Sequence, residues 1–533
     1  MDVQSFLCRL PDSLGLVGWL TAGFVAIFAL QLGRAWWRLR HIPGPFLASL
    51  TNLYRMSWVP TTRAHLILQD VHKKYGEVVR IGPNMVSFSN PEAIPTVYPM
   101  RAGLPKSDFY VTLRPYTRHG GALHAVFNTT EEHILKQIKT PIAPIFNITN
   151  TTTVEPLVDE VLQCIRDRFD QRFAATEQIF DMGQWLQFFA FDVMGTMTFS
   201  KRYGFLDEGR DVGGMLGTIV DFMRTSAPMT QSPMLDRILR KNIIADTFWQ
   251  AVRGTASLSI LGFVGQAIKE KKEKLENGDA KTDDRHTDFL TRYIHLQKNN
   301  PEIPAWAPTA WTFSNVIAGS DSVGTVMRTL LFHLLVYPNT LEKLYEELKA
   351  ASLSHPFPRY NEVRDLPYLD ACVQEAVRIH PPFALPFERV VPKGGVTVLG
   401  HYLPEGTVVG GNPYVVNRDP NMFGEDAEFW RPERWLEGDI SHKRKLEGSV
   451  LTFGAGRRIC LGRHVGILEI KKLIPFLVMT YDASFPPHPK VMSTVTDQEK
   501  MRVVDREKFE VENSWFFFQR GFYAQIQKRT EAA

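Results

Sequence analysis

A mainly α-helical body with small β-sheets, preceded by one N-terminal transmembrane helix, is the fold class this sequence predicts, and three observations predict it. Residues 13–33 carry no charge and are about long enough to cross a bilayer. Beyond them lie long stretches with apolar residues at helical spacing, the clearest over 308–337, interrupted only by short alternating segments such as 77–89 and 382–416. The third observation is FGAGRRICLG, residues 453–462, a glycine-rich turn that holds one cysteine and opens directly onto a helical pattern.

Composition sets wide bounds. With 44% hydrophobic and 22% charged residues, the 533-residue chain has ample material for a core. Its net charge of +4 is too small to indicate nucleic acid, and no basic-aromatic run suggests it. The four cysteines, Cys8, Cys164, Cys372 and Cys460, match neither a disulfide framework nor a zinc pattern, so reduced, cytosol-facing thiols are expected.

In chain order, residues 14–32 form the span. The leader before it, with Asp2, Arg9 and Asp12, lacks the positive charge of a signal peptide. Arg34, Arg38 and Arg40 follow, with Trp36 and Trp37 at interface depth, which predicts a lumenal N-terminus and a cytosolic body. Residues 1–41 are thus the leader, membrane helix and basic flank, and 42–533 a single catalytic domain. Pro43 and Pro45 around Gly44 make a stiff elbow. Residues 77–89 read as two strands around a Gly-Pro-Asn turn. From Lys106 to Phe127 the pattern is irregular and aromatic, with Gly120 and Gly121 as a flexible point, either a surface loop or a cover over a pocket.

Residues 131–146 begin helically, and His133, Lys136 and Lys139 recur on one face. Asn128, Asn147 and Asn150 each open an Asn-x-Thr triplet, which on the cytosolic side stays unmodified. Residues 154–267 are mainly helical; Phe222, Met223, Met229 and Met234 belong either to the core or to a substrate entrance. The charged run 269–286 reads as a solvated connection.

Within the 308–337 helix stands AGSDS, residues 318–322. Gly319 costs about 1 kcal/mol in a helix interior, and Asp321 is expensive in so apolar a stretch unless it is paired or meets water. Such locally unfavourable choices mark functional sites. Glu375 and Arg378 lie one helical turn apart. Residues 382–416 alternate in short strands and turns, and the tail from Trp515, WFFFQRGFYAQIQ, reads as a closing hairpin.

In the cysteine turn, Gly454, Gly456 and Gly462 permit positive φ and close backbone approach to a flat object. Arg458 supplies a forked cation suited to a carboxylate such as a haem propionate. The helix after Gly462 places Cys460 at a positive helix end, which lowers a thiol's pKa. A thiolate so placed is a ligand for haem iron.

Phe453, Gly456, Arg458, Cys460 and Gly462 fall on Phe-x-x-Gly-x-Arg-x-Cys-x-Gly, so the chain resembles the cytochrome P-450 family. With its anchor and the KSDFY segment at 106–110, it looks most like fungal, pisatin-demethylase-like members of secondary metabolism. The resemblance implies the cytochrome P-450 fold and haem b with Cys460 as axial iron ligand. It also implies cofactor contacts from Phe453, Gly456 and Arg458, and propionate sites at Arg389 and Lys139. At Lys139 the family usually offers an arginine. AGSDS falls on the motif Ala/Gly-Gly-x-Asp/Glu-Thr with serine in place of threonine. Asp321 and Ser322 are thereby implied to deliver protons to dioxygen, with less stiffness at the hydroxyl. Glu375 and Arg378 are implied to join Arg434, from Pro432-Glu433-Arg434-Trp435, in bracing the haem core.

The implied activity is insertion of one oxygen atom from O2 into a lipophilic small molecule, such as a terpenoid, polyketide or alkaloid. Electrons would come from NADPH through NADPH-cytochrome P-450 reductase, with cytochrome b5 as a second donor, at the endoplasmic reticulum membrane. Lys136, Lys139, Lys443, Arg444 and Arg457 are the expected docking face. Two rivals stand beside this. A haem-thiolate isomerase or dehydratase works without reductase, against which the Asp321-Ser322 pair speaks. A membrane haem carrier or sensor should bring a signalling module, for which no leftover stretch is long enough.

Overall fold

The first helix turns large apolar side chains outward. The computed structural model describes residues 16–101, 103–114, 123–245, 247–248, 259–277, 287–486, 509 and 511–529. Its first helix, Leu16–Arg38, leaves Leu20, Ile27 and Leu30 exposed. From Gly18 to Arg38 it is long and apolar enough to cross a membrane. Its end is sealed by a residue from elsewhere: buried Arg80 donates to the carbonyls of Ala35 at 2.8 Å and Trp36 at 3.1 Å, groups a helix C-terminus leaves unpaired. The proline elbow then packs on the same strand. A Cβ on Gly44 would stand 2.2 Å from the Arg80 carbonyl oxygen, so only glycine fits.

The alternating stretch at 77–89 forms β1 (Val78–Gly82) and β2 (Met85–Phe88), paired antiparallel as expected. Further along come β3 (Phe180–Asp181), β4 (Arg389–Val390), β5 (Val396–Val398), β6 (His401–Leu403) and β7 (Val408–Gly411). The first sheet runs β1-β2-β7-β4, with Met85 opposite Val408 in a parallel pair and Arg389 opposite Val409 in an antiparallel one. This register carries Arg389 from the sheet edge into the interior.

The central helix, Ala307–Val336, matches the expected 308–337 within a residue and stays α-helical through AGSDS. It lies against Met182–Phe199, a helix buried on nearly every face and so a core helix throughout. The glycines of the central helix permit this approach. A Cβ on Gly319 would come 2.1 Å from Met194 Cε, and one on Gly324 2.6 Å from Gln187 Oε1.

Three expectations are corrected. Lys269 to Glu276 is not a loose connection but the end of the Ser259–Glu276 helix, held by a Lys271–Asp288 ion pair of 2.5 Å; residues 278–286 lie outside the described residues. The tail is not one hairpin. β10 (Phe516–Gln519) pairs with β9 (Val511–Ser514), whereas β11 (Tyr523–Lys528) joins β8 (Tyr481–Ser484) and β3 in another sheet. Gly521, at φ +78°, turns the chain between them. Within 382–416, where short strands are expected, residues 383–387 form no ladder beyond a single bridge from Phe383 to Phe516. The Gly120-Gly121 point and the leader residues also lie outside the described residues. Of the four methionine-stretch residues, Met223 is core, while Met234 is 70% exposed.

The Glu375 carboxylate is fully buried and takes five donors. Arg378 contributes Nη2 at 2.7 Å and Nε at 2.8 Å, Arg434 Nε at 3.1 Å, Trp435 Nε1 at 2.9 Å and the Arg431 backbone N–H at 3.0 Å. Burial alone would raise this carboxyl, but Arg378 and Arg434 outweigh it and hold the group below its ordinary range. Glu375→Ala strands two buried guanidinium groups and is expected to cost about 3–5 kcal/mol of unfolding free energy. Denaturant unfolding, compared with the surface control Glu425→Ala, measures the difference.

Candidate functional site

Cys460 precedes the Arg463–Thr480 helix by three residues. Its loop is closed by its own N–H donating to the Phe453 carbonyl at 2.8 Å, and its sulfur accepts from the backbone N–H groups of Gly462 and Arg463. The side chain is ringed by protein yet accessible to a water-sized probe, which describes a group facing an internal hollow. Burial pushes the Cys460 thiol up, against the pull of those N–H groups, Arg463 and Lys139, so the expected lowering is not found in the protein alone. A cation at the sulfur would reverse that balance.

Gly456 is required for a reason other than a flat ligand. At φ +63°, its Cβ would stand 2.2 Å from the Tyr98 carbonyl oxygen, so the chain's own backbone takes the space. Phe453 is half-buried beside it.

The central helix forms the other wall. Gly466, six residues past Cys460, would place a Cβ 3.1 Å from Val323, the neighbour of Ser322. On that helix Ala318 is exposed and Ser322 half-buried, although both sit mid-molecule. These residues, four apart, share a face. The Ser322 hydroxyl donates to the Ala318 carbonyl at 2.6 Å, one turn back on the same helix.

Asp321, one step round the helix, faces elsewhere. Its Oδ1 accepts from Gln187 Nε2, and its buried Oδ2 has no hydrogen-bond partner among the described residues. Burial pushes this carboxyl up to about 6, with Arg328 and then Gln187 pulling it down. The two residues expected to act together therefore present the hydroxyl to the hollow and the carboxyl to the neighbouring helix.

Positive charge gathers at one edge of the hollow. Arg389 is buried and donates to the Tyr110 hydroxyl at 3.2 Å. Lys139 turns inward from the Glu132–Lys139 helix and donates to the Arg457 carbonyl at 2.5 Å, while Lys136 and His133 stay exposed. Arg458 donates to the Thr129 carbonyl at 3.0 Å and pairs with Glu132, which also pairs with Arg457 at 2.7 Å.

Lys106, which sequence reasoning did not assign to the site, completes the group. Its backbone bridges to Arg389, its Nζ donates to the Phe127 carbonyl at 2.5 Å, and the cation lies 4.0 Å from the centre of the Tyr110 ring. Burial, then Arg389, Arg458 and Lys139, drive its ammonium well below the ordinary lysine range. Against these cations stand Glu132 and Glu388, and Glu388 is already bound by Arg55 at 2.7 Å. So large a buried excess of positive charge suits a ligand with two carboxylates. An accessible sulfur and an unmatched cation cluster form a set of residues that could hold haem b, Cys460 serving the iron and the cations the propionates.

The inward turn of Lys139 also removes it from the expected docking face. Lys136 and Arg444 are exposed, and Lys443 is partly engaged by Asp370 at 3.7 Å.

The cytochrome P450 family model matches residues 43–512. The chain is 67% identical over 524 residues to the cytochrome P450 monooxygenase mfmA of Annulohypoxylon moriforme, with 98% of each chain covered. It is 47% identical over 516 residues to the cytochrome P450 monooxygenase asR2 of Sarocladium schorii, with 96% of each covered. To the cytochrome P450 monooxygenase mpaDE' of Penicillium brevicompactum it is 49% identical over 524 residues, covering 97% of this chain and 58% of that one.

The charge balance separates two lysines. Lys106→Met should lower the haem retained on purification several-fold, read as the ratio of Soret to protein absorbance. Lys136→Met, at an exposed position, should leave that ratio unchanged.

Proposed function

We propose a function from one premise: this chain belongs to the cytochrome P450 family. It is a haem-thiolate monooxygenase that binds haem b. When bound, the haem activates dioxygen, and a thiolate ligand donates the electron density that favours O–O cleavage. In our reading the single domain 42–533 carries this chemistry. Cys460 would hold the iron through its sulfur, which the N–H groups of Gly462 and Arg463 position. Arg389, Lys139, Arg458 and Lys106 would hold the propionates, and Phe453 and Gly456 would shape the cysteine loop. Ser322 offers a hydroxyl to the hollow, and Asp321 holds and releases a proton at Oδ2.

The observation that carries this reading is the accessible, protein-ringed Cys460 together with the face of the central helix that bears exposed Ala318 and half-buried Ser322. The substrate we propose is a lipophilic secondary metabolite, consistent with the fungal relatives and with an apolar N-terminal helix that would hold the enzyme against a membrane. We place the enzyme at the endoplasmic reticulum membrane with its body in the cytosol, reduced by NADPH-cytochrome P450 reductase at Lys136, Lys443, Arg444 and Arg457. The buried proton-holding Asp321 favours this over a reductase-free isomerase, which has no use for delivered protons.

Reduced protein under carbon monoxide should give the red-shifted Soret band of a sulfur-ligated haem, and Cys460→Ala should lose it. Turnover should require NADPH and reductase, and NADPH-independent product would select the isomerase reading. Asp321→Asn should lower turnover about 100-fold or more, the scale of a lost general acid. Reduction by the reductase should slow as salt rises, since surface charge pairs are screened within about 10 Å at 0.1 M.

A further inference from the structure

Asp321 is clamped on one side only, and the clamp is itself held. Gln187, on the Met182–Phe199 helix, donates from Nε2 to Asp321 Oδ1, while its Oε1 accepts from the Arg328 guanidinium. Arg328 is fixed in turn by donating through Nε to the Gly183 carbonyl at 2.7 Å. An amide between a carboxylate and a guanidinium has one workable orientation, with its oxygen toward the cation and its NH2 toward the anion. Arg328 lies seven residues, two helical turns, beyond Asp321 on the same face. It makes no direct contact with the carboxylate, because the Gln187 amide occupies the space between them.

That interposition has a consequence. A buried arginine paired directly with an aspartate holds it ionised and unable to take up a proton near neutrality. Here the arginine acts on Asp321 by its charge across the interposed amide, without a direct hydrogen bond, and burial keeps the carboxyl near 6. Among the described residues, Arg328 is the charged group that acts on Asp321, and Asp181 acts in turn on Arg328. Room for the amide is provided by Gly324, whose Cβ would stand 2.6 Å from Gln187 Oε1 and 3.6 Å from its Cα.

We propose that Gln187 is a positioning residue for proton delivery: it clamps Oδ1 of Asp321, keeps Arg328 from pairing with the carboxylate, and leaves Oδ2 as the proton-exchanging atom. The O–H bond at Oδ2 breaks as the proton passes to its acceptor, the Gln187 N–H steadies the carboxylate left behind, and a proton from water restores it. This rests on the role given to Asp321 above.

Two variants test it in the haem-loaded enzyme. Gln187→Leu keeps the bulk between Asp321 and Arg328 but removes the donor. Gly324→Ala keeps Gln187 and pushes it off its bond. Both should preserve the carbon monoxide spectrum and far-ultraviolet circular dichroism. The readout is the infrared C=O band of the protonated Asp321 carboxyl across a pH titration, identified by its loss in Asp321→Asn. In Gln187→Leu its midpoint should rise by about one pH unit, a tenfold gain in proton affinity, as expected when a donor to the charged form is lost. In Gly324→Ala, where the displaced amide no longer separates Arg328 from the carboxylate, it should fall. The pH dependence of stability should follow. A carboxyl that keeps its proton to higher pH folded than unfolded destabilises the protein as pH rises toward that midpoint, so the decline should extend to higher pH in Gln187→Leu. A midpoint unchanged or lowered in Gln187→Leu, or unchanged or raised in Gly324→Ala, overturns the proposal, even if Asp321→Asn abolishes turnover. Full turnover in Asp321→Asn would instead remove the role on which the proposal rests.

Discussion

A carboxylate with no access to water, Glu375, fixes the half of the molecule that carries the cysteine. Its five donors come from a helix and from the 431–435 segment, so it ties a regular element to irregular chain that has few backbone bonds of its own. From there the bracing continues by hydrogen bonds to the sulfur. Asn417 donates to the Arg378 carbonyl and to the Thr452 hydroxyl, and accepts from the Leu451 N–H at 2.8 Å. Thr452 donates to the Val377 carbonyl at 2.7 Å, and the next residue, Phe453, accepts from the Cys460 N–H. The position of Cys460 is therefore set by a buried network rather than by its loop alone.

The opposite requirement operates at the cation edge. Glu375 gathers donors until its charge is answered, whereas Lys106, Lys139, Arg389 and Arg458 are brought together with too few carboxylates. Buried like charges raise the cost of this edge, and an anionic group bound there would lower it.

On the far side of the hollow, the same logic is applied to a proton. Gly319 and Gly324 weaken the central helix locally but let Met194 and Gln187 approach its axis. The resulting contact buries Asp321 without ion-pairing it, so a group that would ordinarily be a spectator anion stays poised near physiological pH. What reads in one dimension as poor helix chemistry is, in three, the space a neighbouring side chain needs.

The parts of this protein legible in the sequence are those written in local pattern. The strands at 77–89, the central helix and the turn carrying Cys460 follow from alternation, helical period and glycine placement within a few residues of one another. The Glu375–Arg378 pair is likewise local, and its third member, Arg434, was reached by family motif. The rest depends on residues far apart in the chain. Lys106 meets Arg389 only because an isolated bridge joins it to β4, Arg80 closes the first helix from a neighbouring strand, and Gln187 reaches Asp321 across a helix pair. The tail hairpin failed for the same reason, since β11 found better partners in β8 and β3 than in β10. Residue types and spacing are enough to single out Cys460, Asp321 and Ser322 as candidates for ligation and proton transfer. Which charges go unanswered and which carboxyl oxygen is left open follow from the folded arrangement, because burial and long-range pairing set those energies and neither is encoded in spacing.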